Sequence, residues 1–253
     1  MSIRLHAFTC GWLTGGLGNF LAGERGRIRV PVPCYLVVHP RGTALFDTGL
    51  HAGIQRDPAE RLGALAPSWT VEFAPGEEVG GRLAALDLAP ARVDFVVVSH
   101  LHFDHAGGLA QIPNARLVVQ RAEWQAGRDS DLVRANFYDP RDYDLGHEIL
   151  ALAGEHDLFG DGSVLCVPTP GHTPGHQSLR VRLPKGDVVL TADACYLRRT
   201  LDRLELPPFA HSREQMLASL ERLRALESAG ARLVFGHDPE QWKSVPQAPA
   251  AMD

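Results

Sequence analysis

The stretch Ser99-His100-Leu101-His102-Phe103-Asp104-His105-Ala106-Gly107-Gly108 decides how this chain is read. It directly follows residues 95–98, a Phe- and Val-rich run that predicts a strand. A strand delivers its last side chains in register, and the turn after it folds the chain back. Three imidazoles and a carboxylate can therefore converge within a few residues. That donor set suits Zn2+, and also Fe, Mn or Co, with no thiolate offered nearby. The pattern H-x-H-x-D-H arises by chance in roughly two of a thousand chains of this composition. Gly107 and Gly108 then let the backbone turn tightly into the next element.

Three later segments offer partners for this cluster. His172 sits in Pro170-Gly171-His172-Thr173-Pro174-Gly175-His176, a loop leaving a strand. Asp193 lies just past another, in Thr191-Ala192-Asp193-Ala194, and His237 follows a third, in Phe235-Gly236-His237-Asp238. Each ligand-type residue stands at or just past a strand end, where open α/β sheets place their active sites.

Short Val-, Leu- or Phe-rich runs predict strands at residues 3–8, 34–38, 44–46, 95–98, 117–119, 163–167, 178–181, 188–190 and 233–235. Helical patterns occupy 80–86, 121–126 and 212–227. In the last, Met216, Leu217, Leu220, Leu223 and Leu226 recur at helical spacing, Ser212 and Gln215 resemble a capping box, and Gly230 suits the exit. Strands and helices mixed in both halves, with no low-complexity linker, predict sheets covered by helices in one domain over residues 1–253. The long loops 11–27 and 127–147 are candidate pocket walls, and Trp12, Phe20, Trp69 and Phe137 are candidates for its apolar lining.

The 253 residues are 45% hydrophobic and 22% charged, a composition that can build a core and is unlike a disordered chain. A net charge of -5 implies no basic surface for phosphate backbones, which argues against a nucleic-acid partner. No run reaches the ~18 apolar residues of a membrane helix, and the first residues lack a signal-peptide pattern. Cys10, Cys34, Cys166 and Cys195 are scattered, with no C-x-x-C pair, and read as buried thiols in a reducing, cytoplasmic compartment.

Taken in order, Phe46-Asp47-Thr48-Gly49, H-L-H-F-D-H, G-H-T-P-G-H, A-D-A and F-G-H resemble the metallo-β-lactamase superfamily over nearly the whole chain. The resemblance implies an α/β fold, an αββα sandwich with metals at the end where the two sheets meet. It implies one divalent ion, expected to be Zn2+, on His100, His102 and His172, a second on Asp104, His105 and His237, and Asp193 bridging them. Phe103, Asp193-Ala194-Cys195-Tyr196 and Phe235-Gly236-His237-Asp238-Pro239-Glu240-Gln241 are similar to the N-acyl-homoserine lactonases in particular. That likeness implies a quorum-quenching lactonase in which a metal-bridging hydroxide attacks the lactone carbonyl. Tyr196 would hydrogen-bond the carbonyl oxygen or the leaving alkoxide, and Asp104 would carry the proton to the leaving oxygen. The family also implies a homodimer.

Related chemistry sets the alternatives: another lactone, a thioester or a β-lactam. A glutathione thioesterase would carry a basic C-terminal region, which is sparse after Gly236, and many zinc β-lactamases place a Cys among the ligands. The alternative of another reaction class is a mononuclear iron persulfide dioxygenase, which leaves the second ligand set idle. Asp47 is expected to orient a ligand histidine by accepting its hydrogen bond. His176 is expected to be a structural hydrogen-bonder, because the ligand set is full without it.

Overall fold

Successive side chains of a strand point to opposite faces of its sheet, and here both faces are apolar. Ala44 and Phe46 are buried on one side of their strand and Leu45 on the other, and Val97 likewise opposes Val96 and Val98. Such strands require cover on both faces. A computed structural model, which describes residues 3–252, shows how it is supplied.

The strands are β1 (Arg4–Gly16), β2 (Arg27–His39), β3 (Gly42–Phe46), β4 (Thr70–Glu72), β5 (Phe95–Val97), β6 (Arg116–Gln120), β7 (Ile149–Leu152), β8 (His156–Asp157), β9 (Val164–Pro168), β10 (Gln177–Leu183), β11 (Gly186–Leu190) and β12 (Arg232–Val234). Seven form one sheet in the order β4-β1-β2-β3-β5-β6-β7, antiparallel as far as β3 and parallel beyond it. Five form the other in the order β12-β11-β10-β9-β8, antiparallel except for β11–β12. Between the sheets, Leu5, Val37, Ala44, Phe46, Val97 and Val118 meet Val164, Leu179, Val181, Val188 and Leu190. Burying each such side chain contributes roughly 1.5–3 kcal/mol. Outside, the helix Arg213–Ser228 lays Met216, Leu220 and Leu223 on Val189, Leu233 and Phe235. On the opposite side Leu83, Leu109 and Tyr143 pack against Leu36, Leu45, Val96 and Leu117. The result is the expected αββα sandwich.

The helix start is as expected, with the Ser212 hydroxyl accepting the Gln215 N–H at 3.3 Å, and Gly230 takes a positive φ of 99° just past the end. Among the described residues no helix is long and apolar enough to cross a membrane. All four cysteines are buried and free.

Three readings need correction. Both ends of the expected loop 11–27 belong to a β-ribbon: β1 runs on to Gly16 and pairs with β2 as far as Gly16↔Arg27, leaving residues 17–26 as its connection. A register shift between Thr9 and Trp12, around Gly11 at φ 102°, interrupts the alternation that would have marked the strand. The loop 127–147 contains two short helices, Ser130–Ala135 and Pro140–Tyr143, capped by the side chains of Asp129 and Asp139. Gly107 and Gly108 have ordinary φ angles of -58° and -85°, so they are not there to make a turn. What they supply is room: a Cβ on Gly107 would lie 2.3 Å from the Phe103 carbonyl and 2.6 Å from the His51 nitrogen.

That distinction has a sign. At a helix end with ordinary φ, propensity alone makes Gly→Ala stabilising by up to about 1 kcal/mol. The crowding predicts instead that Gly107→Ala destabilises by about 1–3 kcal/mol. Chemical denaturation of the two proteins reads which term dominates.

Candidate metal centre

Five strands end on one edge of the sandwich, and the segments that leave them supply the site. Asp47 follows β3, His100 to His105 follow β5, His172 follows β9, Asp193 follows β11 and His237 follows β12. All are buried or nearly so; Asp104, at the cavity floor, keeps 8% of its surface. The residues fall into two groups able to hold a cation, His100/His102/His172/Asp193 and Asp104/His105/His237. The donor atoms of each group lie within 4.8 Å of one another.

A neutral imidazole has one N–H and one lone pair, so fixing the N–H aims the lone pair. His102 donates Nε2–H to the Asn136 carbonyl at 2.8 Å, and His237 donates Nδ1–H to the Pro31 carbonyl at 2.8 Å. His105 donates Nδ1–H to Asp47 Oδ2 at 2.8 Å. Ser99 gives its hydroxyl proton to the same Asp47 oxygen, which leaves its Oγ to accept His100 Nδ1–H at 2.9 Å. The Nδ1 of His172 faces the Tyr196 hydroxyl at 3.3 Å. Five lone pairs are thereby turned inward.

They meet around the Asp193 carboxylate, whose two oxygens divide between the groups. Oδ2 lies 3.7 Å from His100 Nε2 and 3.3 Å from His172 Nε2. Oδ1 lies 3.3 Å from His105 Nε2 and 3.1 Å from His237 Nε2, and Asp104 Oδ2 stands 3.7 and 3.6 Å from the same two nitrogens. Nε2 of His105 and Oδ1 of Asp193 are buried without a hydrogen-bond partner. Two lone pairs so placed repel unless a positive charge lies between them. Metal–nitrogen bonds of about 2.0–2.1 Å in tetrahedral geometry separate donors by roughly 3.3 Å. The residues fit a pair of metal ions.

The electrostatics agree. Burial holds His100 and His172 well below the ordinary imidazole pKa, as neutral ligands must be. Burial is the largest influence on His105 and His237 too and opposes a charge, yet the nearby carboxylates, Asp193 and Asp104 among them, together outweigh it and raise both. Asp193 in turn is held well below the ordinary carboxylate range by those two imidazoles, against its burial. The space on that side of Asp193 favours positive charge.

Asp47 plays its expected part and a larger one. It fixes His105 directly and His100 through Ser99, and it also accepts the Ser99 N–H at 2.6 Å. It holds a positive φ of 60°, a conformation rare outside glycine. His176, as expected, is not in either donor group. Burial pushes it down to about 3, so it is neutral. Its Nε2 accepts the Asp193 N–H at 3.1 Å while its Nδ1 faces the Thr169 hydroxyl at 2.9 Å.

A family model described as the metallo-beta-lactamase superfamily matches residues 27–237. The chain belongs to the metallo-β-lactamase superfamily. It is 35% identical to the N-acyl homoserine lactonase AttM of Azorhizobium caulinodans, over 99% of both chains. It is 31% identical to the N-acyl homoserine lactonase AiiA of Bacillus thuringiensis subsp. kurstaki, over 86% of this chain and 85% of that one. Among solved structures of the superfamily it superposes at a TM-score of 0.89 and 27% identity, with complete coverage of both chains, on an N-acyl homoserine lactone hydrolase. That structure holds the product N-hexanoyl-L-homoserine at its catalytic metal centre.

In this superfamily member a cavity of about 220 Å3 opens directly over the donor groups. His102, Asp104, His172, Asp193 and His237 form its floor, and Tyr196 stands beside them. Leu13 and Phe20 come from the 11–27 segment and Phe137 from 127–147, so both segments are pocket walls as expected, and Trp69 joins them. Trp12 does not; it lies under the Arg29 guanidinium, 3.8 Å away. Sequence reading missed Phe209, which packs 5.4 Å from Phe137 on a stretch without pattern. It also missed Ser99 and the carbonyls of Asn136 and Pro31, and no side-chain motif could have revealed the two carbonyls.

Because Asp47 serves a histidine in each donor group, Asp47→Ala should weaken both of two zinc-binding steps, by about 10- to 100-fold each. Competition with a chromophoric chelator measures the two steps.

Proposed function

We propose that this protein is a dinuclear metal-dependent hydrolase that opens the ring of N-acyl-homoserine lactones. The observation that carries the reading is the Asp193 carboxylate, with one oxygen facing each donor group on the floor of a largely apolar cavity. The relatives named for this activity match nearly the full chain, which adds the substrate class. On this reading His100, His102 and His172 hold one ion and Asp104, His105 and His237 the other, with Asp193 shared and Zn2+ as the metal. When bound, the two ions supply a water acidified towards neutrality and an electrophile for the ring carbonyl.

The protein's own groups do the rest. Phe20, Trp69, Phe103 and Phe209 exclude water and receive the acyl chain. Burial keeps the Tyr196 phenol well above its ordinary pKa, so it remains a donor. Its oxygen faces the N–H of His172, and its proton can turn from Asp193 to the carbonyl oxygen or the leaving alkoxide. Asp104 would take a proton from the attacking water as its oxygen bonds to the ring carbonyl carbon, and pass that proton to the leaving oxygen as the ester C–O bond breaks. The products are a hydroxy acid and, at neutral pH, one released proton. Neither donor group contains a cysteine, unlike the β-lactamases that use one, and both groups are complete, unlike a one-metal dioxygenase. The chain is one domain, and four buried free thiols suit a cytoplasmic home. The family's homodimer is part of the reading.

Zinc-loaded protein should release one proton per N-hexanoyl-homoserine lactone consumed, and His102→Ala should not. Tyr196→Phe should keep both ions and lose on the order of a hundredfold in kcat. A zinc-loaded protein inert towards short- and long-chain substrates would remove this substrate class.

A further inference from the structure

Glu123 is a fully buried carboxylate that the reaction above does not use. It lies on the short helix Arg121–Ala126, behind the metal centre. Three of its partners are N–H and O–H donors, and each leads to a different part of one donor group. Oε1 accepts the N–H of Leu101 at 3.1 Å, and Leu101 stands between His100 and His102. Oε2 accepts the N–H of Gly175 at 2.8 Å, in the loop that carries His172. The Tyr138 hydroxyl donates to Oε1 at 2.5 Å. Tyr138 is two residues from Asn136, whose carbonyl fixes His102 Nε2, and its ring packs 5.5 Å from the His102 ring.

The fit between these segments is close. A Cβ on Gly175 would fall 2.1 Å from the Glu123 nitrogen, so only glycine lets the His172 loop approach this helix. Both carboxylate oxygens face donors, an arrangement that a carboxamide cannot reproduce because one of its two ends is itself a donor. Glu123 has no hydrogen bond to His105, His237 or Asp104; His105 is held by Asp47 and His237 by Pro31.

We propose that Glu123 is a positioning residue for one metal ion alone, setting the loops that present His100, His102 and His172 while leaving the Asp104/His105/His237 group untouched. Its buried negative charge also offsets part of the positive charge brought in by the cation. This rests on the ligand assignment proposed above. It separates the two ions by their supports: Asp47 serves both, and Glu123 serves one.

The experiment is a stepwise zinc titration of metal-free wild type, Glu123→Gln and Tyr138→Phe against a chromophoric chelator. Absorption spectra of the cobalt-loaded proteins and thermal unfolding of the metal-free proteins accompany it. Glu123→Gln should weaken one of the two steps by about 10- to 100-fold and leave the other within about threefold. The cobalt bands of the weakened site should change with it. Tyr138→Phe, which keeps the ring and removes one donor, should weaken the same step by a smaller factor, and it decides the matter if Glu123→Gln does not fold. Equal weakening of both steps, or unchanged binding with only a lower melting temperature, overturns the proposal. A wild type that binds fewer than two ions overturns the underlying ligand assignment instead, so the two failures are distinguishable.

Discussion

The site depends on one constraint: five imidazoles must turn lone pairs, not N–H groups, into a space they share with two carboxylates. Imidazole cannot do this by itself, because either nitrogen can carry the proton. Each ring needs an acceptor behind it. The structure supplies them from distant parts of the chain: Pro31 on β2 for His237, Asn136 for His102, and Asp47 with Ser99 for His105 and His100. The sandwich can be understood as the frame that holds these acceptors still. A carbonyl in a paired strand or a packed loop is a more rigid acceptor than a solvated side chain.

This explains why the donors stand just past strand ends. The inter-sheet core and the two outer layers fix the strands, and the first few residues beyond each inherit that order. The cost is local. Asp47 takes a left-handed backbone, and Asp193 and His105 carry buried atoms that repel each other unless a proton or a metal ion lies between them. These are features that a stability-optimised core would lack, and they are concentrated where charge must be held. The cavity above is mainly apolar, so a ligand entering it excludes water from the same charges.

The sequence made the donors legible because their chemistry is written in side chains at tell-tale spacings. H-x-H-x-D-H after a Val-rich run located the centre, and the isolated Asp193 and His237 stood out by their place after strands. The layers were legible from short apolar runs such as those of β3, β5 and β11. The β1–β2 ribbon was not, since Gly11 and a bulge break its period. Backbone acceptors were invisible in principle: any residue has a carbonyl, and only the fold selects those of Asn136 and Pro31. Glu123 was hidden differently. It sits in a correctly expected helix, but nothing local distinguishes a carboxylate facing solvent from one facing Leu101 and Gly175. Gly107 was legible as important, though for crowding rather than for a turn.

The central claim is that Asp193 is shared by two metal ions. Anomalous diffraction at the zinc edge, from crystals of zinc-loaded protein, tests it most directly. The account predicts two peaks about 3.5–4 Å apart, one against His100, His102 and His172 and one against Asp104, His105 and His237, with an Asp193 oxygen on each. A single peak at full zinc loading, or two peaks with Asp193 bound to only one, would contradict it.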